Sequence, residues 1–129
     1  MIVETFEDFQ RAISEGKLVD VSDTAKEIGI SIPVAVSSTL WNTYIEPEES
    51  IAVGQTKNER IWNVISLLLS SLKSEMKPFD NRSSLMVQYQ VHFVNDGILT
   101  MTSLQAIIRK AAEGQSFIQI LLKDESEHK

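Results

Sequence analysis

Few side chains in this sequence have the types and spacing that catalysis requires. Asp20, Glu59 and Arg60 are the candidates for an enzyme or small-ligand site, because together they could supply two carboxylates and a guanidinium. A structural role explains Asp20 more simply, since a carboxylate beside a helix start interacts favourably with the helix dipole. His92 lies in a polar pattern with glutamines, which indicates a solvated histidine rather than a general base. We therefore expect no catalytic residue.

Cofactor and metal chemistry also lack their usual residues. The chain of 129 residues has no cysteine and two histidines, which removes thiolate metal sites and leaves little for a histidine site. The sequence contains no glycine-rich phosphate loop, no Gly-x-Ser-x-Gly motif and no His-x-x-x-His pair. We expect a protein that is not an enzyme and that uses no cofactor or metal.

The net charge of −6 is distributed unevenly along the chain. Residues 1–60 hold eleven acidic and five basic side chains, whereas residues 61–129 hold seven of each. Nucleic acids and anionic membranes bind clusters of Lys and Arg, and this sequence has none, so we expect neither as a direct partner. The acidic run Glu46-Pro47-Glu48-Glu49 is typical of a solvated loop. It also contains three of the candidate partner-binding residues, which are Glu46, Glu48, Glu49 and Arg60.

Hydrophobic spacing predicts several short elements in the first half. Residues 5–15 have the apolar stripe of an amphipathic helix. Short extended pieces are predicted at 18–21 and 32–36, on either side of a small helix. A turn or two of helix should follow, and then a long surface loop over 46–57.

The clearest helix is predicted from about residue 58 to residue 76, where apolar residues recur at helical spacing. Its apolar surface covers so much of the circumference that we expect a central helix packed on more than one side. Trp62 should point into the core. Arg60, on the opposite side, should pair with Asp20 or Asp23.

After this helix the hydrophobic period changes from 3.6 to 2, which indicates antiparallel strands. Alternation predicts a strand over 85–93, a hairpin turn at Asn95-Asp96-Gly97, and a further strand over 117–122. The return strand of the hairpin is predicted from Ile98 to about Ile108, with a second turn at Glu113-Gly114-Gln115 before the last strand.

The register of that return strand stays open. A two-residue turn would place Thr102 and Leu104 on the core face, whereas a three-residue turn would place Leu99 and Met101 there. Residues 104–112 could alternatively form a helix.

Together these elements predict a single α+β domain over residues 1–122, with 123–129 as a charged disordered tail. A central long helix and short N-terminal helices should pack on an antiparallel three-stranded β-meander. No apolar run approaches the roughly 20 residues of a membrane helix, and no basic region followed by an apolar stretch begins the chain. We therefore expect a cytoplasmic protein.

Two blocks carry a family resemblance. The first is Leu18-Val19-Asp20-Val21-Ser22-Asp23-Thr24-Ala25-Lys26-Glu27-Ile28-Gly29 with Pro33-Val34-Ala35-Val36 and Trp41, and the second is Gly54-Gln55 with Glu59-Arg60-Ile61-Trp62-Asn63-Val64. They resemble a small uncharacterised bacterial family, a domain of unknown function found on plasmids, in phages and in other mobile elements. The resemblance implies no activity, cofactor or catalytic residue. It implies the setting of a mobile element, with action on host or element machinery by binding.

The leading hypothesis is a small acidic interaction protein of a mobile element that regulates or inhibits a macromolecular partner, most simply a protein. One alternative is a structural homo-oligomer such as a homodimer. Its contacts would be the sheet face at Gln88, Gln90 and His92, or an exposed strand edge. The least favoured alternative is the enzyme or small-ligand site described first.

Overall fold

A five-stranded mixed sheet forms the centre of an α+β fold. The computed structural model describes residues 2–45, 56–75, 84–95, 97–110 and 116–127. The strands are β1 (Leu18–Asp20), β2 (Val34–Ser37), β3 (Ser84–Asn95), β4 (Ile98–Arg109) and β5 (Phe117–Leu122). They lie in the order β1-β2-β5-β4-β3, in which β2 and β5 run parallel and every other neighbouring pair is antiparallel.

Helices precede, connect and follow these strands. In the described part of the chain they are α1 (Phe6–Ser14), α2 (Ser22–Ile28), α3 (Ser38–Leu40), α4 (Lys57–Glu75) and α5 (Lys123–Glu127), with a π-helical turn at Trp41–Ile45 directly after α3. Thr5 caps α1 by accepting a hydrogen bond from the backbone N–H of Asp8. Ser37 caps α3 in the same way. Polar caps therefore set the starts of both helices.

The sheet has two strands more than the predicted three-stranded antiparallel meander. The extended pieces expected at 18–21 and 32–36 are observed as β1 and β2, inside the sheet. β2 pairs in parallel with β5, with Val34 opposite Ile118 and Val36 opposite Ile120. Parallel strands are joined by a long connection, so this pairing brings together segments that are distant in the chain. The periodicity within one segment therefore cannot predict it.

The hairpin between β3 and β4 adopts the two-residue register. Asn95 pairs with Ile98, and Gly97 has a φ of +80°. Turns of this kind require positive φ, which glycine adopts without a Cβ clash. Leu104 consequently faces the core, whereas Met101 faces outward. Because β4 is extended throughout, the helical alternative for its second half is wrong.

Hydrophobic cores lie on both faces of the sheet. The larger one joins the sheet to α2, α3, the π-helical turn and α4. The smaller one packs α1 on the opposite face, where the ring centroids of Phe9 and Phe117 lie 4.6 Å apart. The N-terminal segment lies on that same face. The N–H of Val3 donates to Gln119 Oε1 at 3.0 Å, and its carbonyl accepts from Arg109 Nε at 2.9 Å.

Helix α4 packs on β3 and on α2. Its inward residues are at most 6% exposed and comprise Ile61, Val64, Ile65 and Leu68. Trp62 is 46% exposed, so its predicted inward position is wrong. One helical residue lies about 100° from the next, and Ile61 occupies the side that faces the sheet. Trp62 therefore points away from the core, although its apolar side chain suggested a buried position.

The C-terminal residues also differ from the prediction. Residues 123–127 form helix α5 instead of the predicted disordered tail, and residues 128–129 lie outside the described part. Glu125 Oε2 accepts hydrogen bonds from Ser37 Oγ at 2.7 Å and from the N–H of Leu122 at 2.8 Å. This carboxylate therefore links α5 to β2. It also accepts from the N–H of Leu122, directly before α5, where backbone N–H groups have no partner within the helix.

Candidate interaction surface

The three side chains of the least favoured alternative, the enzyme or small-ligand site, do not converge on one site. Asp20 Oδ1 accepts hydrogen bonds from Ser22 N at 2.9 Å and Ser22 Oγ at 2.6 Å, at the start of α2. Glu59 Oε1 accepts from Thr56 N at 2.8 Å, while Glu59 N donates to Thr56 Oγ1 at 3.1 Å. This reciprocal pair is a capping box, which holds the first turn of α4. Both carboxylates are therefore engaged in local hydrogen bonds at the starts of helices.

Arg60 is fully buried, with 0% of its surface exposed. Its Nη1 donates to the carbonyl of Tyr44 at 2.6 Å, and its Nη2 donates to the carbonyl of Val94. The guanidinium carbon lies 6.0 Å from the centroid of the Phe93 ring, which stacks on Tyr44 with a centroid distance of 5.1 Å. Burial lowers the pKa of Arg60 from its ordinary value. The side chain thus ties α4 to the π-helical turn and to β3.

The expected ion pair of Arg60 with Asp20 or Asp23 is wrong. The guanidinium binds backbone carbonyls of other elements, and Asp20 binds Ser22. A partner could not contact the Arg60 side chain in this conformation, because it is enclosed by the core. The other candidate partner-binding residues, Glu46, Glu48 and Glu49, lie outside the described residues, so their role stays a prediction.

The largest exposed apolar side chains on the sheet belong to the β3–β4 hairpin. The exposed fractions of Met86, Ile98, Leu99 and Met101 are 55%, 67%, 62% and 55%. We call Leu99 and Met101 the hairpin patch, because these two lie next to each other on one face beside the turn. Ile98 lies on the other face, and Met86 pairs with Ile107 at the far end of the hairpin. Leu99 and Met101 lie on the outward face opposite Val94 and His92 of β3. Large apolar side chains grouped at one end of a sheet are typical of interaction surfaces.

Sequence reasoning left this patch undecided. Leu99 and Met101 belong to the core in one hairpin register and to the surface in the other. The two-residue turn decides for the surface. Once Asn95-Asp96-Gly97 is given its most frequent short turn, the same residues could have been identified as a surface patch from the sequence.

The outer edge of β3 is a second exposed feature. Among the described residues, no strand pairs with β3 on the side away from β4. Residues that flank a two-residue turn form a hydrogen-bonded pair, so Asn95 and every second residue before it direct their backbone groups toward β4. The intervening residues direct theirs outward, and these are Ser84, Met86, Gln88, Gln90, His92 and Val94.

A cleft lies between the π-helical turn, β4 and the start of α5. Its volume is about 520 Å³, and Tyr44, Thr102 and Lys123 are among its lining residues. The Thr102 hydroxyl oxygen is buried and has no hydrogen-bond partner in the described structure. None of Asp20, Glu59 and Arg60 lines this cleft, so it is not the site that the enzyme or small-ligand alternative would need.

Metal and membrane features are absent from the described ranges. No group of three or more His, Cys, Asp or Glu side chains there is placed to hold a metal ion. Neither α4 nor any other described helix combines the length and apolarity needed to cross a bilayer.

Comparison with known proteins assigns neither a family nor a function to this surface. No protein-family model matches the chain, and no curated protein or solved structure matches it either. The resemblance to a mobile-element family therefore stays a prediction.

Proposed function

We propose that this chain is a small acidic interaction protein that acts by binding a protein partner through the hairpin patch. The observation that supports this proposal is the exposure of Leu99 and Met101, which lie next to each other on one face of the sheet beside the turn of the β3–β4 hairpin. The predicted role in a mobile element, with regulation or inhibition of a partner, rests on the resemblance and is part of the proposal. The proposed cytoplasmic location rests instead on the hydropathy of the sequence.

The chemistry of the patch defines the partner. Leu99 and Met101 would enter an apolar groove, since burying a large aliphatic side chain contributes about 1.5–3 kcal/mol. The net charge of −6 favours a partner with basic residues around that groove, because opposite charges accelerate association. Binding should therefore slow as the salt concentration rises.

Affinity capture from lysate with quantitative mass spectrometry tests the proposal. The variant Leu99→Ser/Met101→Ser should lose the captured partner, with affinity reduced by at least roughly a hundredfold. Its fold should be retained, because both side chains are exposed in the native state. Ile2→Ser is the matched control, since Ile2 is also an exposed apolar residue but lies outside the patch. Equal capture by the wild type and the double variant would refute this assignment.

The acidic segment offers a second way to bind. Charge reversal at Glu46, Glu48 and Glu49 in the same capture experiment separates the two surfaces. If the patch carries binding, the reversed variant keeps the partner at high salt, where charge contributes little. Loss of the partner from this variant alone would assign binding to the acidic segment instead.

A further inference from the structure

We propose that the outer edge of β3, with which no described strand pairs, is the interface of a homodimer, in which β3 pairs antiparallel with the same strand of a second copy. This inference is independent of the hairpin patch. It rests on the edge of the strand, whereas the patch is a face of the sheet.

The β3 edge lacks the features that normally prevent strand pairing. The strand is 12 residues long, and its register with β4 is continuous from Ser84 to Asn95, without a bulge. That segment contains no charged residue and no proline. Natural proteins protect exposed edges with lysine, proline, bulges or short strands. A long regular edge without them is suited to pairing with another strand, and a second copy always supplies one.

The structure also limits which part of the edge is available. Arg60 occupies the outward carbonyl of Val94, which closes the edge next to the hairpin turn. The remaining outward residues run from Ser84 to His92, and Gln88 is their midpoint. A two-fold axis at Gln88 would place each Gln88 opposite its equivalent. Met86 would then lie opposite Gln90, and Ser84 opposite His92.

This register would pair the outward backbone groups over the whole stretch from Ser84 to His92. Each hydrogen-bonded pair in an antiparallel ladder exchanges two N–H···O=C bonds, so the symmetric interface would contain about ten. The paired stretch would extend over about 30 Å at the usual rise of a strand. Two five-stranded sheets would thereby become one continuous sheet.

Helix α4 supplies an apolar flank to this edge. Leu67 is 39% exposed and lies seven residues after Arg60, which is about two helical turns, so both residues are on the same side of α4. Arg60 reaches the outward carbonyl of Val94, which shows that this side of the helix faces the edge. Leu67 would therefore flank the interface on the helix side and Met86 on the other. Since β3 has no charged side chain, the net negative charge of the chain is not concentrated at this contact.

Sedimentation equilibrium across a wide concentration range is the first test. The wild type should reach twice the chain mass of 14.5 kDa. Gln88→Pro should weaken dimerisation roughly thirtyfold, because two inter-copy hydrogen bonds at the axis are lost. Its pairing with β4 should survive, since the N–H of Gln88 points outward and proline is tolerated at such edge positions. The hairpin-patch variant Leu99→Ser/Met101→Ser should remain dimeric.

A strictly monomeric wild type would overturn the proposal, as would unchanged dimerisation of a folded Gln88→Pro. Cross-linking tests the pairing of the two β3 edges even if Gln88→Pro does not fold. The chain has no cysteine, so Gln88→Cys introduces a single thiol. Opposed residues of a hydrogen-bonded pair have Cα atoms about 5.5 Å apart, within disulfide range. Mild oxidation should link Gln88→Cys into dimers and leave Met101→Cys monomeric. The reverse pattern would assign association to the sheet face and refute edge pairing.

Discussion

Replacement of the buried Arg60 should lower the free energy of unfolding substantially. Arg60→Met keeps most of the aliphatic stem and removes both donors to the carbonyls of Tyr44 and Val94. A buried acceptor left without its donor costs about 1–3 kcal/mol, so the two carbonyls together cost about 2–6 kcal/mol. Removing a buried charge returns part of its desolvation penalty. We therefore expect a net loss of about 2–4 kcal/mol in the free energy of unfolding.

Urea denaturation followed by circular dichroism measures this loss. Arg11→Met is the matched control, because Arg11 lies at the surface with its side chain 56% exposed and bridges Asp8 at 3.1 Å. An exposed ion pair contributes about 1 kcal/mol or less, so this control should change stability little. Arg60→Lys should fall between Arg60→Met and the wild type, since one ammonium cannot reproduce the forked geometry of the guanidinium.

The result that would refute this reasoning is equal stability of Arg60→Met and Arg11→Met. The π-helical turn and β3 would then hold their positions without the guanidinium. Arg60 would have to be explained by another role, and the predicted partner-binding role would regain support if partner capture failed at the same time.

Two further predictions concern Tyr89 and Trp62. Burial raises the pKa of Tyr89 above its ordinary value of 10, and its hydroxyl donates to the carbonyl of Val64 at 2.9 Å. Above about pH 10 the unfolded chain loses this proton while the folded chain keeps it, so stability should fall as the pH rises. Tyr89→Phe should cost about 1 kcal/mol at neutral pH and show a smaller alkaline loss in urea denaturation; an equal alkaline loss would contradict this origin. Leu68→Ala should lower the free energy of unfolding by about 2–5 kcal/mol, because Leu68 is 0% exposed. Trp62→Ser should lower it by much less, because Trp62 is 46% exposed. Thermal unfolding compares these two variants, and a similar loss in both would show that Trp62 is buried in solution.

The elements that the sequence predicts well are those in which neighbouring residues determine the conformation. The helical spacing around Ile61 and Ile65 predicts α4, and the alternation before Asn95 predicts β3. The glycine of Asn95-Asp96-Gly97 predicts a hairpin because it tolerates positive φ. In each case the contacts that matter lie within a few positions, so the order of residues is sufficient.

The side-chain assignments were less successful where the environment comes from distant segments. Trp62 is apolar, but its burial depends on which side of α4 meets the sheet. Arg60 is charged, and its burial became possible only because the carbonyls of Tyr44 and Val94 converge on it from other elements. Neither outcome follows from residue type.

The sequence alone determined the α+β class, the main helix and the hairpin, because periodicity and turn chemistry act locally. The tertiary structure decided that β1 and β2 enter the sheet, since the pairing of Val34 with Ile118 joins segments distant in the chain. It also decided which surfaces are candidates for binding. The hairpin patch and the β3 edge exist because a two-residue turn sets the register and leaves one side of β3 without a neighbouring strand among the described residues. Exposure depends on the whole set of neighbours around a residue, and that set is established only when the chain has folded.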